Sequence, residues 1–381
     1  MNCKTVLLKD LVLGEKGSYG IGAPAVDYDP KKYTYLRITD INDDGSINTN
    51  GLKSVDAEDA YKYILQENDI VFARTGASTG KTYFYQPQDG TLVYAGFLIK
   101  FSIDPQKVNP RLLKYITHSQ EYYNWVHSFD TGGTRGNINA VTFANMPITL
   151  PDRATQDKIV AILSSIDDKI ELNRRINANL EQQAQALYKS WFVDNKKDDW
   201  EEKRLDDIIS IYDSQRKPLS GQQREKMEKL YPYYGAASLM DYVDNYLFDG
   251  IYLLLGEDGT VSDSEGFPML QYVWGKFWVN NHAHILQGKN GFTTESLYIL
   301  LKQTNVSSIV TGAVQPKISQ ANLKSVPITM PPINLLNQYN DIIEPLFDQI
   351  RTNQNQIQYL TQLRDTLLPK LMSGEIKVPT N

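Results

Sequence analysis

Cysteine is almost absent from these 381 residues: Cys3 is the only one. Neither an internal disulfide nor a cysteine zinc cluster can form, which fits a reducing compartment. Also missing is any run near the roughly 18 consecutive apolar residues that a membrane span needs. The opening MNCKTVLLKD lacks the apolar stretch of a signal peptide. The expectation is a soluble, cytoplasmic protein with no membrane partner. A basic excess is missing too: 39 Lys and Arg against 45 Asp and Glu leave a net charge of −6. That balance argues against attraction to nucleic acid over the whole surface and confines any DNA contact to local patches.

Catalytic constellations are lacking as well. There is no dinucleotide glycine fingerprint, zinc-protease helix motif or serine elbow, so no catalytic residue and no cofactor are assigned. His282 and His284 alternate on an expected strand and face one side, but two histidines make a poor metal site, and no metal is expected. GASTGKT, Gly76 to Thr82, imitates a phosphate loop, yet it has three residues between its glycines where a P-loop needs four. Its turn instead suits contact with a DNA backbone through Arg74, Ser78, Thr79 and Lys81. The doublets Asp167-Asp168 and Asp206-Asp207 read as solvated helical faces.

What the chain does have is size and a normal balance, with 41% apolar and 22% charged residues, which implies at least two globular domains. It also repeats itself. Thr131 to Pro151 (TGGTRGNINAVTFANMPITLP) aligns without a gap on Thr311 to Pro331 (TGAVQPKISQANLKSVPITMP), 180 residues later. The same offset carries Ile162, Asp168, Ile170 and Asn173 onto Ile342, Asp348, Ile350 and Asn353, and Asp69 and Gly76 onto Asp249 and Gly256. A unit this long is a domain plus whatever follows it.

A helix follows in each copy. Steps of four and three run through Ile166, Ile170, Asn173, Leu180 and Leu187, and again through Leu346, Ile350, Asn353, Ile357, Leu360 and Leu367. These are heptad seams. Two separate amphipathic helices would also satisfy the pattern; their length and repeat relationship favour an intramolecular antiparallel coiled coil, with Asn173 and Asn353 as polar seam residues or facing solvent. Pro345 and Pro369 are read as marking the first turns and the end of the second helix.

Between the helices the chain reads as mixed α and β. Expected strands are Tyr33 to Ile38, Ile70 to Arg74, Val93 to Ile103, Ile251 to Leu255 and Lys276 to Val279. Helices are expected to open at Asn109-Pro110 and near Thr293. The fold class is thus α+β: two mixed α/β domains separated by two long helices in a pseudo-two-fold tandem repeat. The expected divisions are 1–152, a helix over 153–195, 196–332, a helix over 333–376, and a tail over 377–381.

Two variable domains alternating with two long helices, the leads MPITLP and VPITMP, and the helix ends LYKSWFVDN and LLPKLMSGEI resemble the specificity subunit of type I restriction-modification systems. NDIVFARTGASTGKT, TGGTRGNI and YPYYGAASLMDYV also resemble that family's target-recognition domains. The resemblance covers essentially the whole chain. It implies a non-catalytic, sequence-specific subunit that binds double-stranded DNA at a bipartite, asymmetric target. It also implies two methyltransferase subunits as partners, with ATP-dependent translocase/nuclease subunits in the full complex. The helices then act as ruler and docking surface. Candidate DNA contacts are Arg74, Thr75, Ser78, Lys81, Thr134, Arg135 and Asn137 in the first domain, and Tyr234, Ser238, Asn280, Asn281, His282, Gln315 and Lys317 in the second. Trp191 and Phe192, large aromatics at a helix end, are candidate partner contacts. The rival reading is a coiled-coil scaffold joining two protein-binding domains, which explains the acidic balance but not the family motifs.

Overall fold

In a computed structural model the described residues are 3–14, 16–49, 51–130, 136–312 and 314–378. They form two units, Met1–Ile170 with Gln358–Asn381, and Glu171–Ile357. Each unit therefore takes part of each long helix.

The first unit carries strands β1 (Lys4–Leu7), β2 (Ser18–Tyr19), β3 (Ala25–Asp27), β4 (Tyr33–Leu36), β5 (Lys53–Val55), β6 (Asp69–Ala73), β7 (Thr82–Phe84), β8 (Leu92–Tyr94), β9 (Leu98–Ser102) and β10 (Pro147–Leu150). One sheet has the order β2-β9-β6-β7, a second β3-β5-β4-β8, and β1 pairs with β10. The apolar run Val93 to Ile103, expected as one strand, is two. A turn closed by the Leu98 N–H on the Ala95 carbonyl (2.8 Å) breaks it, so β8 lies parallel to β4 while β9 lies antiparallel to β6 in the other sheet. Helices α1 (Pro110–Ile116), α2 (Gln120–His127) and α3 (Ala140–Ala144) cover the first sheet's core. Asn109 caps α1 by accepting from the Arg111 N–H (3.1 Å), with Pro110 in the first turn. Phe72, Phe101 and Phe143 are fully buried among Leu112, Leu113 and Ile148.

The long helix α4 (Arg153–Tyr188) opens where the Asp152 carboxylate caps the Thr155 N–H (3.0 Å). Asp167 on α4 does not belong to a solvated face. It receives Lys114 (2.6 Å) and Arg364 (3.1 Å) and is largely buried, while Asp168 is exposed. Burial pushes the Asp167 carboxyl up, but the two cations outweigh it and hold it below its ordinary value.

The second unit holds β11 (Glu201–Arg204), α5 (Leu205–Ile208), β12 (Ile209–Ile211), α6 (Gly221–Arg224), β13 (Tyr231–Tyr234), β14 (Leu239–Val243), β15 (Phe248–Gly256), β16 (Leu270–Val279), β17 (Ala283–Gly288), α7 (Thr294–Lys302), α8 (Gln320–Lys324), β18 (Pro327–Met330) and the long helix α9 (Ile333–Ser373). Its sheet runs β12-β17-β15-β16-β13-β14, and β11 pairs with β18. The first four strands repeat the order β2-β9-β6-β7, and β11·β18 repeats β1·β10, so the duplication is visible in topology. The units differ in what is added, a second sheet in one and the β13-β14 hairpin in the other.

Helix α9 begins at Ile333, so Pro345 lies well inside it and Pro369 precedes its end by four residues. Each proline deletes one backbone donor from the ladder, and packing carries the helix through. Within the second unit the two long helices are antiparallel: the Asn173 amide donates to Gln356 (2.8 Å), Asn353 to Asn177 (2.8 Å), and the Tyr339 hydroxyl to the Ala184 carbonyl (2.9 Å). Asn173 and Asn353 are buried, and the other seam positions Ile166, Ile170, Leu180, Leu187, Leu346, Ile350, Ile357, Leu360 and Leu367 are buried or half-buried.

Past Tyr188 the helix widens into a π segment, Lys189–Asp194. That segment turns Phe192 inward, where it is 5% exposed and packs on Tyr188, Tyr339 and Trp200. Trp191 is half-buried in the same aromatic cluster. Phe192, expected as a partner contact, is therefore core of its own unit: a ring already closed on all sides offers no face for docking.

Candidate nucleic-acid interface

The strongest correspondence between the repeats lies just past the central strand of each shared sheet. After β6, the Arg74 N–H donates to the Phe97 carbonyl (3.1 Å) and the Arg74 carbonyl accepts from the Ile138 N–H (3.0 Å). After β15, the Glu257 N–H donates to the His282 carbonyl (2.8 Å) and its carbonyl accepts from the Ile318 N–H (2.8 Å). Identical backbone bonding makes Arg74 the counterpart of Glu257, Phe97 of His282 and Asn137 of Lys317. The offset here is 257 − 74 = 183, whereas Ile138 and Ile318 keep 180. The gapless alignment of Asp69 and Gly76 on Asp249 and Gly256 is thereby corrected. The ladder places Ala73, paired with Leu98, where Gly256 pairs with Ala283.

The two cradles hold opposite chemistry. In the first unit the Arg74 guanidinium lies 5.3 Å from the Tyr19 ring and 6.0 Å from the Phe97 ring, and both rings are partly exposed. Its Nη1 reaches the exposed Asn137 Oδ1 at 3.4 Å, and its buried Nε has no acceptor. Thr75 and Ser78 are half-buried around a single turn, Gly76–Ser78, which leads into β7 and not into a helix. The phosphate-loop imitation thus lacks the helix N-terminus that a P-loop places behind its glycines. Lys81 is drawn inward onto Asp43 (2.8 Å) and the Ile41 carbonyl (3.4 Å). Thr134 and Arg135 lie outside the described residues.

In the second unit Glu257 is closed by cations, Arg216 at 2.6 Å and Lys317 at 3.3 Å. Behind it, Asp213 accepts from His284 Nδ1 (2.6 Å), the Ile285 N–H (2.9 Å) and Gln320 (2.5 Å), while His284 Nε2 donates to the Ile318 carbonyl (2.8 Å). Burial pushes both carboxyls up. His284 and Arg216, with the Ile285 N–H for Asp213 and Lys317 for Glu257, outweigh it and hold both below their ordinary values. Asp213, Glu257 and His284 have ligand atoms within 4.8 Å of one another, but Arg216 already supplies the cation there. This network fixes the strand of chain carrying Lys317 at the cradle's edge.

The remaining candidates scatter. Asn280 is 4% exposed, with its oxygen taken by the His282 N–H (2.8 Å), and serves the turn before β17. His282 precedes that strand, bonded to Asp258, while His284 lies within it, fully buried. Tyr234 packs on Phe277, and burial pushes its hydroxyl up to about 12. Ser238, Asn281 and Gln315 are exposed. Tyr19, Phe97, Arg216 and Glu257 were not among the candidates. Only their hydrogen-bonded placement singles them out, since nothing in the local pattern of Tyr19 or Arg216 differs from an ordinary loop.

The family described as type I restriction modification DNA specificity domain matches this chain twice, over residues 2–182 and 197–362. The chain belongs to that family. The duplication thus falls on the family's own unit. Among specificity subunits, the MjaIX specificity subunit of Methanocaldococcus jannaschii is 28% identical over 70% of this chain and 69% of its own length. A putative specificity subunit, S.HindORF215P of Haemophilus influenzae, is 34% identical over 38% of this chain and only 36% of its own length. The solved S subunit of a type I system from M. genitalium shares the fold at TM-score 0.51 and 18% identity, covering 100% of this chain and 97% of that one. Among the described residues, no helix is long and apolar enough to cross a membrane.

Proposed function

We propose that this specificity-family chain is a non-catalytic, sequence-specific DNA-binding subunit that directs methyltransferase and nuclease subunits of a type I system to a bipartite, asymmetric target. Each unit reads one half-site. The observation that carries the reading is the pair of cradles: one backbone arrangement presents Arg74 and Asn137 in the first unit and Glu257 and Lys317 in the second. A duplicated frame with exchanged polar side chains is what two different half-sites require, because base edges are distinguished by donor and acceptor pattern. The net charge of −6 is compatible, since the basic groups that matter are local.

The test is to purify the chain with and without a methyltransferase partner and map methylated positions across a genome. Methylation is expected only with the partner, at one motif made of two unlike halves around a fixed unread gap. Methyl transfer by the chain alone, or a single continuous motif, refutes the reading.

A further inference from the structure

Resting on the reading of the first unit as reader of one half-site, we propose that Arg74 selects a guanine in that half-site through its guanidinium fork. Among the described residues Arg74 has no carboxylate partner, whereas Arg37, Arg216, Arg224, Arg351 and Arg364 are each closed by one. Among the described residues the only hydrogen bond of its guanidinium is to the Asn137 amide oxygen at 3.4 Å, at the long limit of such a bond. Tyr19 and Phe97, 43% and 55% exposed, flank the guanidinium and restrict its plane, so little side-chain freedom remains to be lost on binding. An oriented, uncompensated fork on an exposed aromatic seat matches a guanine edge, which offers O6 and N7 as two adjacent acceptors in the major groove.

The second unit supplies the contrast. At the same backbone position stands Glu257, neutralised by Arg216 and Lys317, so no free fork exists there. The guanine contact therefore belongs to one half-site only and contributes to the target's asymmetry. Were Arg74 instead a phosphate ligand, its loss would weaken binding to all sequences alike and reduce the salt dependence.

The experiment uses the full chain in complex with its methyltransferase partner, as wild type, Arg74→Ala and Arg74→Lys. Lysine keeps the charge and the ring contacts but not the fork, and so guards against a merely unfolded alanine variant. Methylated sites are mapped, and binding to duplexes altered at single positions is measured at several salt concentrations. Wild type is expected to require a G·C pair at one position that both variants relax, with discrimination falling about 5- to 150-fold and the other half-site and gap unchanged. An unchanged motif in Arg74→Lys, a relaxed position that is not a G·C pair, or a uniform loss with a lower salt slope overturns the proposal. So does failure of both variants to assemble, which makes Arg74 a structural residue. A wild-type complex with no bipartite motif refutes the functional reading itself, a separately recognisable outcome.

Discussion

Replacing Asp213 by alanine removes the acceptor at the centre of the second unit's polar network. Three donors lose their partner: His284 Nδ1 at 2.6 Å, the Ile285 N–H at 2.9 Å and the Gln320 amide at 2.5 Å. His284 is fully buried, and the other carboxylate near its Nδ1, that of Glu257, lies 3.7 Å away, beyond hydrogen-bond distance. Breaking such a buried charged pair from one side costs about 3–5 kcal/mol. The second unit spans residues 171–357, and for a unit of that size each kcal/mol lowers Tm by about 2–4 °C, so a drop of about 6–20 °C is expected by scanning calorimetry or near-UV circular dichroism. Removing both partners, Asp213→Leu with His284→Leu, should cost less than either single change, because neither a buried imidazole nor a buried carboxylate is left without the other, although the Ile285 N–H, the Gln320 amide and the Ile318 carbonyl still lose their bonds. Asp213 and Glu257 are both held below their ordinary carboxylate values. Their contribution is therefore complete above the ordinary carboxylate range and is lost as pH falls through the depressed values. Wild type should lose stability on acidification below about pH 4 more steeply than the double leucine variant. A Tm drop under about 3 °C for Asp213→Ala, or parallel acid profiles, would show that the network is not holding the cradle.

Phe192→Ala should destabilise the second unit by about 3–5 kcal/mol while leaving binding of the methyltransferase partner intact; loss of the partner at full Tm, measured by pull-down and melting together, would return Phe192 to the docking surface. Asn173→Leu should raise stability by about 1 kcal/mol, because the Asn173 Oδ1 is buried without a donor, and urea midpoints below wild type would contradict this. Seven residues inserted into both helices at facing levels, between Asn173 and Asn177 and between Asn353 and Gln356, should keep the seam and widen the unread gap by about three base pairs, from about 1.5 Å per helical residue and 3.4 Å per base pair. A methylation map with altered bases and unaltered spacing counts against the helices as spacer.

That choice of insertion points shows where sequence reasoning stopped. Repeat mates at an offset of 180, such as Ala178 to Leu187 and Gln358 to Leu367, look like partners on paper. In the second unit Asn177 instead meets Asn353 and Ala184 meets Tyr339, so residues facing one another number oppositely along the two helices. The helices themselves were legible because a seam of Ile, Leu and Asn at steps of three and four repeats over many turns, and nothing else satisfies that spacing. Asn109 and Thr293 were legible as helix starts because capping is a local hydrogen bond. Burial of Phe192 was not, since it depends on a π segment that rotates one ring by part of a turn. Nor was the division of Val93 to Ile103, which is decided by two sheets competing for one apolar run.

The candidate interface was legible to the same degree and for the same reason. Arg74, Asn137 and Lys317 stood out as polar residues in glycine-bearing loops, and the constant offset of 180 already pairs Asn137 with Lys317, but the equivalence of Arg74 with Glu257 emerges only when backbone bonds replace that offset as the alignment rule. Loops tolerate insertions at small thermodynamic cost, about 0.6 kcal/mol for each doubling of length, so offsets of 180, 183 and 185 accumulate within one duplicated domain while the ladder keeps its register. Strand pairing resists such drift because a one-residue slip turns every buried side chain outward. The frame is therefore conserved between the two halves of this chain by packing, and the side chains at its rim, Arg74 and Asn137 against Glu257 and Lys317, are free to differ. A duplicated protein whose halves must recognise unlike sequences can vary just there without unfolding either unit.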